Sequence, residues 1–459
     1  MSSDKPNIVL VVMDTARAEN FSCYGYERNT TPFLDELAEN NVKYERTVSQ
    51  ANRTTISHAS LFTGEYVSEH RYDSLDSFGE LDVFQEELSE NGYTTLGAVN
   101  VPYLSEEFGG DEMFDRFFYN IGKSFFSDLS LSRSEFHEAE GLEKYSKLLK
   151  TVISDRKFSK PFTALKRLFR KYLFLDDSGA EKTNEQVKEM LEDSDEPFFL
   201  FLNYLEPHGP YRAPFPYSHK FLDRKFRWLS LFDPLENGPQ LYPEHNERPP
   251  ESKMELWKAL YDGEINYLDR KLEELHGWIK EEHPNTVFIF TSDHGEHFLE
   301  KDLKGHSTGV YDEVTHVPMI EEFPNSISET VDDPVELKDL HDHILEISQG
   351  SFNTLGSDYA FSEDIGDAQG SSERLKRLSS YTVSVQDKYH KLIWYATGDM
   401  ELFSMPDEVE VEDKEIMGRL TERIQEIVGN PEEMNLISGD KKEVDEEDVK
   451  ESLRELGYL

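Results

Sequence analysis

This 459-residue chain has a single cysteine and too few basic residues to balance its acids. Lys and Arg total 48 against 93 Asp and Glu, a formal net charge of −45. Such an excess of acid repels phosphate backbones at long range, which argues against a nucleic-acid partner. The single cysteine, Cys23, excludes an intramolecular disulfide and a thiolate metal cage. No apolar run approaches the length of a membrane span. The N-terminus, MSSDKPNIVLVVMD, lacks a basic n-region, and its apolar run stops at Asp14. It reads as a buried strand rather than a signal peptide, so the chain is expected to be cytoplasmic. Charge this high often means disorder, but the apolar runs argue otherwise. The expectation is a folded, halophilic protein whose carboxylate-coated surface is screened by a salt-rich cytoplasm.

Four short runs have the β-branched and aromatic character of buried parallel strands: NIVLVVM (7–13), YTTLGAV (93–99), FFLFLNYL (198–205) and TVFIFTS (286–292). Helical patterns lie between them, at TPFLDELAENN (31–41) and most clearly at 256–282. In the latter, Leu260, Ile265, Leu268, Leu272, Leu275 and Trp278 form one stripe. This alternation predicts an α/β fold. From about residue 380, YTVSVQD, YHKLIWYAT and MELFSM alternate around Gly398-Asp399, as a small antiparallel meander does. The expected division is a catalytic domain over 1–375, with a helical insertion at about 104–190, and a small α+β unit over 376–459.

Polar residues able to do chemistry follow the strands. Asp14 ends the first, Glu206-Pro207-His208 the third, and Asp293-His294 the fourth. Ligands of open α/β sheets bind beyond the carboxyl ends of strands. Asp14, Asp293 and His294 are oxygen and nitrogen donors suited to one divalent cation, Mn, Mg, Zn or Ca. Each Asp alone could equally be a helix N-cap, but several strand ends converging on one edge favour a site.

The motifs PNIVLVVMDTAR, SHASLFTG, FLFLNYLEPHGPY, YDGEINYLDRKLEEL and TSDHGEHFLEKDLKGHSTGVYDEVTHVPMI resemble, in order, the sulfatase branch of the alkaline phosphatase superfamily. So do CYGYERNTTPFLDELAENNVKYER and the terminal RELGYL. The resemblance implies a three-layer sandwich: a central, mostly parallel sheet between helices, with a small C-terminal four-stranded antiparallel sheet and helix. It also implies a nucleophile that doubles as a metal ligand. In that register the nucleophile is Thr54, with Ile56 and His58 where sulfatases carry Pro and Arg. Threonine cannot become formylglycine because its β-carbon bears a methyl group. Relatives with an unmodified Thr act mostly on phosphodiesters or transfer phosphoryl-linked groups. Ser49, in Ser-Gln-Ala-Asn-Arg, offers a loose modification pattern and supports the alternative of a true sulfatase.

His208 is expected to serve as general acid and His306 as an oxyanion contact, or the reverse. Arg17, His58, Asn100 and Lys304 are expected on the substrate. Position 15 is Thr where many relatives have a second Asp, which weakens calcium as the cation. A two-metal site would draw on Asp262 or Asp269 with His208 and His306, but both acids lie on the amphipathic helix, where solvated charges are normal. The function expected is therefore a metal-dependent hydrolase or phosphotransferase acting on a phosphate ester or phosphodiester. Its substrate would be small, glycan or lipid-linked. An inactive relative that binds anionic glycans is the non-enzymatic alternative.

One segment inverts the charge balance. Residues 144–174 hold ten basic residues and a single acid, Asp155. Their amphipathic period suits a cap helix packed on the main domain, or a lid in peripheral contact with anionic lipid headgroups. Liposome flotation separates the two, because equal binding with and without residues 144–174 removes the membrane alternative.

Overall fold

A computed structural model describes residues 5–72, 78–120, 177–211, 213–223, 249–306, 308–366 and 373–434. The basic segment 144–174 and the terminal RELGYL lie outside the described residues. In chain order the strands are β1 (Asn7–Met13), β2 (Val42–Val48), β3 (Thr94–Val99), β4 (Arg116–Tyr119), β5 (Phe198–Tyr204) and β6 (Thr286–Thr291). A short ribbon follows, β7 (His297–Phe298) and β8 (Lys304–Gly305), then β9 (His316–Glu322), β10 (Glu329–Val331) and β11 (Val335–Glu336). The last five are β12 (Ala360–Asp364), β13 (Thr382–Gln386), β14 (His390–Tyr395), β15 (Met400–Ser404) and β16 (Val409–Glu410). The helices that bear on the site are α1 (Pro32–Asn40), α2 (Thr54–Thr63), α3 (Phe84–Glu90), α4 (Ala180–Glu192), α5 (Glu251–Glu282), α6 (Leu340–Ser348) and α7 (Lys414–Ile427).

The main sheet runs β10-β2-β9-β6-β1-β5-β3-β4, with β11 also paired to β2. The four strands expected from apolar runs are its contiguous centre, β6-β1-β5-β3, and all are mutually parallel. Only β9 runs antiparallel to its neighbours, β2 and β6. Alternate residues face opposite layers. Val9, Val11, Leu200 and Leu202 pack under α1, α4 and α5, while Ile8, Leu10, Phe199 and Phe201 pack against α2, α3 and α6. Coverage of both faces is why these strands are apolar throughout rather than alternating. The long stripe on α5 is buried at Leu260, Ile265, Leu268, Leu272 and Leu275, as its spacing predicts.

Two features depart from the sequence reading. The 104–190 stretch was expected to be helical, yet its described part contributes β4, paired in parallel to β3. The C-terminal sheet has five strands instead of four, and β12 lies ahead of residue 376. Its inward face, including Phe361, Val383, Val385, Leu392 and Trp394, is covered by Leu420 and Ile424 of α7. The reason β12 is missed is visible in its partners. Its sequence, Ala-Phe-Ser-Glu-Asp, is a strand through antiparallel pairing with β13, and its other edge is held where Glu363 N–H donates to the Gln50 carbonyl (2.8 Å) and Gln50 Nε2 to the Phe361 carbonyl (3.2 Å).

Glu363 also joins the two units. Its buried carboxylate accepts from the Ser68 N–H (3.1 Å) and the Tyr381 hydroxyl, and burial pushes its pKa up to about 7. A carboxyl raised in the folded state keeps a proton that the unfolded chain has lost. Its contribution is full below the unfolded pKa of 4.5 and disappears as pH rises through about 7. Wild type is therefore expected to lose stability between those values. Glu363→Gln should flatten that part of the stability curve in urea unfolding followed across pH, and an unchanged slope would contradict this reading.

Candidate active site

Every expected metal ligand lies at one edge of the sheet. Asp14 follows β1, with its N–H donating to the Tyr204 carbonyl (2.9 Å) at the end of β5. Asp293 follows β6 by one residue, with His294 next. One ligand atom each from Asp14, Asp293 and His294 falls within 4.8 Å of the others, and all three residues are buried. Both Asp14 carboxylate oxygens and Asp293 Oδ2 lack a hydrogen-bond partner. Burial, then the neighbouring carboxylates of Asp293 and Glu296, pushes the Asp14 pKa well above its ordinary value. Asp293 is held low instead. Burial opposes its charge, but His294, His58 and the N–H groups of Thr15 and His294 outweigh it. Buried carboxylate oxygens without donors, beside an imidazole, are a donor set that fits a divalent cation.

Local backbone makes this arrangement possible. Thr15 adopts φ +59°, a left-handed conformation that β-branched residues rarely take. That turn aims its N–H at Asp293 Oδ1 (3.1 Å), and the Tyr261 hydroxyl of α5 holds its carbonyl (2.7 Å). Gly295 is required for a different reason. A Cβ there would stand 2.2 Å from the Glu313 carbonyl oxygen.

Thr54 opens α2, and its Oγ1 lies 3.1 Å from His294 Nε2. His294 Nδ1 donates to the Gly295 carbonyl (3.0 Å), so Nε2 carries the lone pair that faces Thr54. Ser49 is placed otherwise. It is fully buried, and its hydroxyl is engaged with the Asp293 carbonyl, the Ala51 carbonyl (2.8 Å) and Ser57 Oγ (3.0 Å). Ser57 also donates to the Asp293 carbonyl (2.7 Å). These two serines hold the ligand segment.

The two histidines expected on the substrate side, His208 and His306, lie beside His294. The His306 ring lies 4.6 Å from that of His294 and 5.2 Å from that of His208, centroid to centroid. Burial pushes both down to about 4, with the nearby His306 lowering His208 further. Glu296, which the sequence reading passed over, is buried among His208, His294, Lys304 and His297. Its only sequence signal is its place in Asp-His-Gly-Glu-His.

Other expected contacts are committed elsewhere. Arg17 donates to the Glu296 carbonyl (3.1 Å) and pairs with Glu19 and Glu300. Asn100 donates to the Asn120 carbonyl (3.1 Å) and accepts from Thr183 (3.1 Å). Lys304 Nζ sits 4.2 Å above the Trp257 ring. His58 Nδ1 donates to the Thr54 carbonyl (2.7 Å), leaving Nε2 to accept from Asn203 (3.4 Å). Asp262 and Asp269 hold structure rather than a second metal. Asp262 accepts from Asn20 (2.9 Å), Tyr26 (3.0 Å) and Arg28 (2.6 Å), and Asp269 caps α1 through the N–H groups of Phe33 and Leu34 (both 3.0 Å).

Comparison with known proteins adds four findings. A family model described as Sulfatase matches residues 6–350. The chain is 24% identical over 353 residues to an uncharacterized sulfatase, YidJ, of Escherichia coli (strain K12), covering 73% of this chain and 66% of that protein. It is 23% identical over 374 residues to an arylsulfatase of Clostridium perfringens, covering 75% of each. In fold it is similar to the phosphonate monoester hydrolase of Agrobacterium radiobacter, with a TM-score of 0.63, 17% identity, and coverage of 92% of this chain and 95% of that one.

Addition of Mn²⁺ is expected to raise the thermal midpoint of the wild-type protein, because a cation bound only by the folded state stabilises it. Asp14→Asn should cost the metal-free protein little and abolish that rise. A full metal-induced rise in Asp14→Asn would contradict the assignment.

Proposed function

The chain belongs to the sulfatase family, and from that premise we propose a metal-dependent hydrolase or phosphotransferase acting on a phosphate ester or phosphodiester through a covalent Thr54 intermediate. The observation that carries this reading is the 3.1 Å approach of Thr54 Oγ1 to His294 Nε2. The substrate would be a small, glycan or lipid-linked anionic ester, met in a salt-rich cytoplasm. Among the described residues no helix is long and apolar enough to cross a membrane.

Asp14, Asp293, His294 and Thr54 would hold the cation, with Mn, Mg or Zn favoured over Ca because Thr15 brings no carboxylate. When bound, the cation supplies the charge that lowers the pKa of the Thr54 hydroxyl and polarises the transferred group. Thr54 stands at the first turn of α2, where free N–H groups and the helix dipole favour an anionic centre. Thr54 Oγ bonds to phosphorus as the bond to the leaving oxygen breaks, and the Thr54 proton leaves to solvent. His208 protonates the leaving oxygen. Because His208 Nδ1 already donates to the Gly209 carbonyl (2.6 Å), the transferred proton must sit on Nε2. Burial disfavours that proton until the anionic ester raises the imidazole pKa. Water or an acceptor alcohol then attacks phosphorus, the Thr54 Oγ–P bond breaks, and Thr54 regains a proton.

A second reading, sulfate-ester hydrolysis through formylglycine at Ser49, draws support from the sulfatase and arylsulfatase among the relatives. The Ser49 hydroxyl, buried between the Ala51 and Asp293 carbonyls and Ser57 Oγ, weighs against it.

A panel of aryl sulfate, phosphate monoester, phosphodiester and phosphonate esters, run with several divalent ions in high salt, distinguishes the two. Turnover is expected to favour the phosphorus esters. Thr54→Ala should lose roughly a thousandfold or more in kcat, Ser49→Ala should stay active, and peptide mapping of trapped enzyme should locate the modification on Thr54. Full activity in Thr54→Ala would sink the proposal.

A further inference from the structure

The loops that carry Asp14 and Asp293 meet at a single peptide unit. Thr15 stands at φ +59°, where β-branched residues rarely sit, so the Thr15–Ala16 peptide that follows needs support from outside the loop to stay in place. It is held at both ends. Its carbonyl accepts from the Tyr261 hydroxyl (2.7 Å), and its N–H donates to Ser292 Oγ (2.9 Å) and, at longer range, to the Met13 carbonyl (3.3 Å). Neither hydroxyl stops there. Tyr261 Oη also accepts from the Arg17 N–H (2.9 Å), and Ser292 Oγ donates to the His294 carbonyl (2.8 Å). Each hydroxyl therefore gives its one proton and accepts another, and both residues are fully buried.

These bonds decide which way the neighbouring carboxylate faces. With the turn in place, the Thr15 N–H reaches Asp293 Oδ1 (3.1 Å), which also accepts from the His294 N–H (2.9 Å). Oδ1 is thereby occupied. Oδ2 accepts no hydrogen bond and lies 3.4 Å from His294 Nε2, so two candidate ligand atoms stand side by side. Ser292 bears on His294 as well, through the carbonyl of that residue. Tyr261 is itself fixed by packing on the buried side of α5. Its ring meets those of Tyr211 and Phe298, at 5.4 and 5.0 Å between centroids.

We propose that Ser292 and Tyr261 are positioning residues of the metal centre. By pinning the Thr15–Ala16 peptide they hold Asp14, Asp293 and His294 in register for one cation before the cation arrives. Both act through backbone groups, and α5 thereby becomes part of the centre without supplying a ligand. Removing outer partners that orient metal ligands commonly costs about ten- to a hundredfold in affinity. The inference rests on the reading of Asp14, Asp293 and His294 as cation ligands, and it holds whichever ester is the substrate.

The test is calorimetric titration of Mn²⁺ into the full-length, metal-free protein, with urea unfolding of the same samples to show that each variant is folded. Ser292→Ala and Tyr261→Phe should each weaken Mn²⁺ binding by about tenfold or more. Tyr44→Phe is the control for loss of a buried hydroxyl. Tyr44 lies in β2, two strands from β6 in the sheet, and its hydroxyl donates to Glu321 (2.5 Å). That variant should keep wild-type Mn²⁺ affinity whatever it does to the urea midpoint. If Ser292→Ala does not fold, Tyr261→Phe, which keeps its packed ring, decides alone. Mn²⁺ affinity equal to wild type in either folded variant overturns the proposal. An equal loss in Tyr44→Phe overturns it too, since it would mark a general effect of destabilisation. Asp14→Asn keeps the two ideas separate. Binding abolished there but unchanged in both hydroxyl variants leaves the metal centre standing and removes this proposal, whereas no binding by wild type removes both.

Discussion

Two carboxylates at the carboxyl ends of neighbouring parallel strands set the terms for this protein. Asp14 and Asp293 are almost wholly buried and close together, and three of their oxygens meet no donor from the chain. Uncompensated, such a pair is costly, since burial and mutual repulsion both oppose ionisation. The raised pKa of Asp14 expresses that cost. A divalent cation would relieve it, and the imidazole of His294 would complete a mixed oxygen and nitrogen donor set.

Much of the surrounding architecture serves that arrangement. Parallel pairing of β1 with β5 and β6 brings segments remote in the chain to one edge. The left-handed turn at Thr15 and the missing side chain at Gly295 let the two ligand loops approach each other. Ser49 and Ser57 grip the Asp293 carbonyl, which ties the segment that opens α2 to the one that follows β6 and sets Thr54 against His294. The small C-terminal sheet then closes on the same segment through the bonds of β12 to Gln50 and the ion pair of Asp364 with Arg53.

How much of this was legible beforehand depends on whether a residue's role is local. The central strands read directly from their apolar runs because both faces are covered. Asp14, Asp293 and His294 stood out because they follow those strands, and Thr54 because its register to Leu61-Phe62-Thr63-Gly64 matches a family spacing. The fates of Arg17 and Asn100 were not legible. Each is decided by partners far away in sequence, Glu300 for Arg17 and Thr183 for Asn100. Asp262 and Asp269 looked like solvated charges or spare ligands, yet they satisfy buried donors near Asn20 and Phe33. β12 escaped for the same reason, because its bonds to Gln50 form only where the C-terminal sheet meets the segment ahead of α2.

The most direct measurement is an anomalous difference map from crystals of the protein soaked in Mn²⁺. The account predicts one strong peak bounded by Asp14, Asp293 and His294, with Thr54 Oγ1 among its ligands. Well-ordered Asp14 and Asp293 carboxylates with no peak between them, or a peak coordinated by Ser49 in place of Thr54, would contradict it.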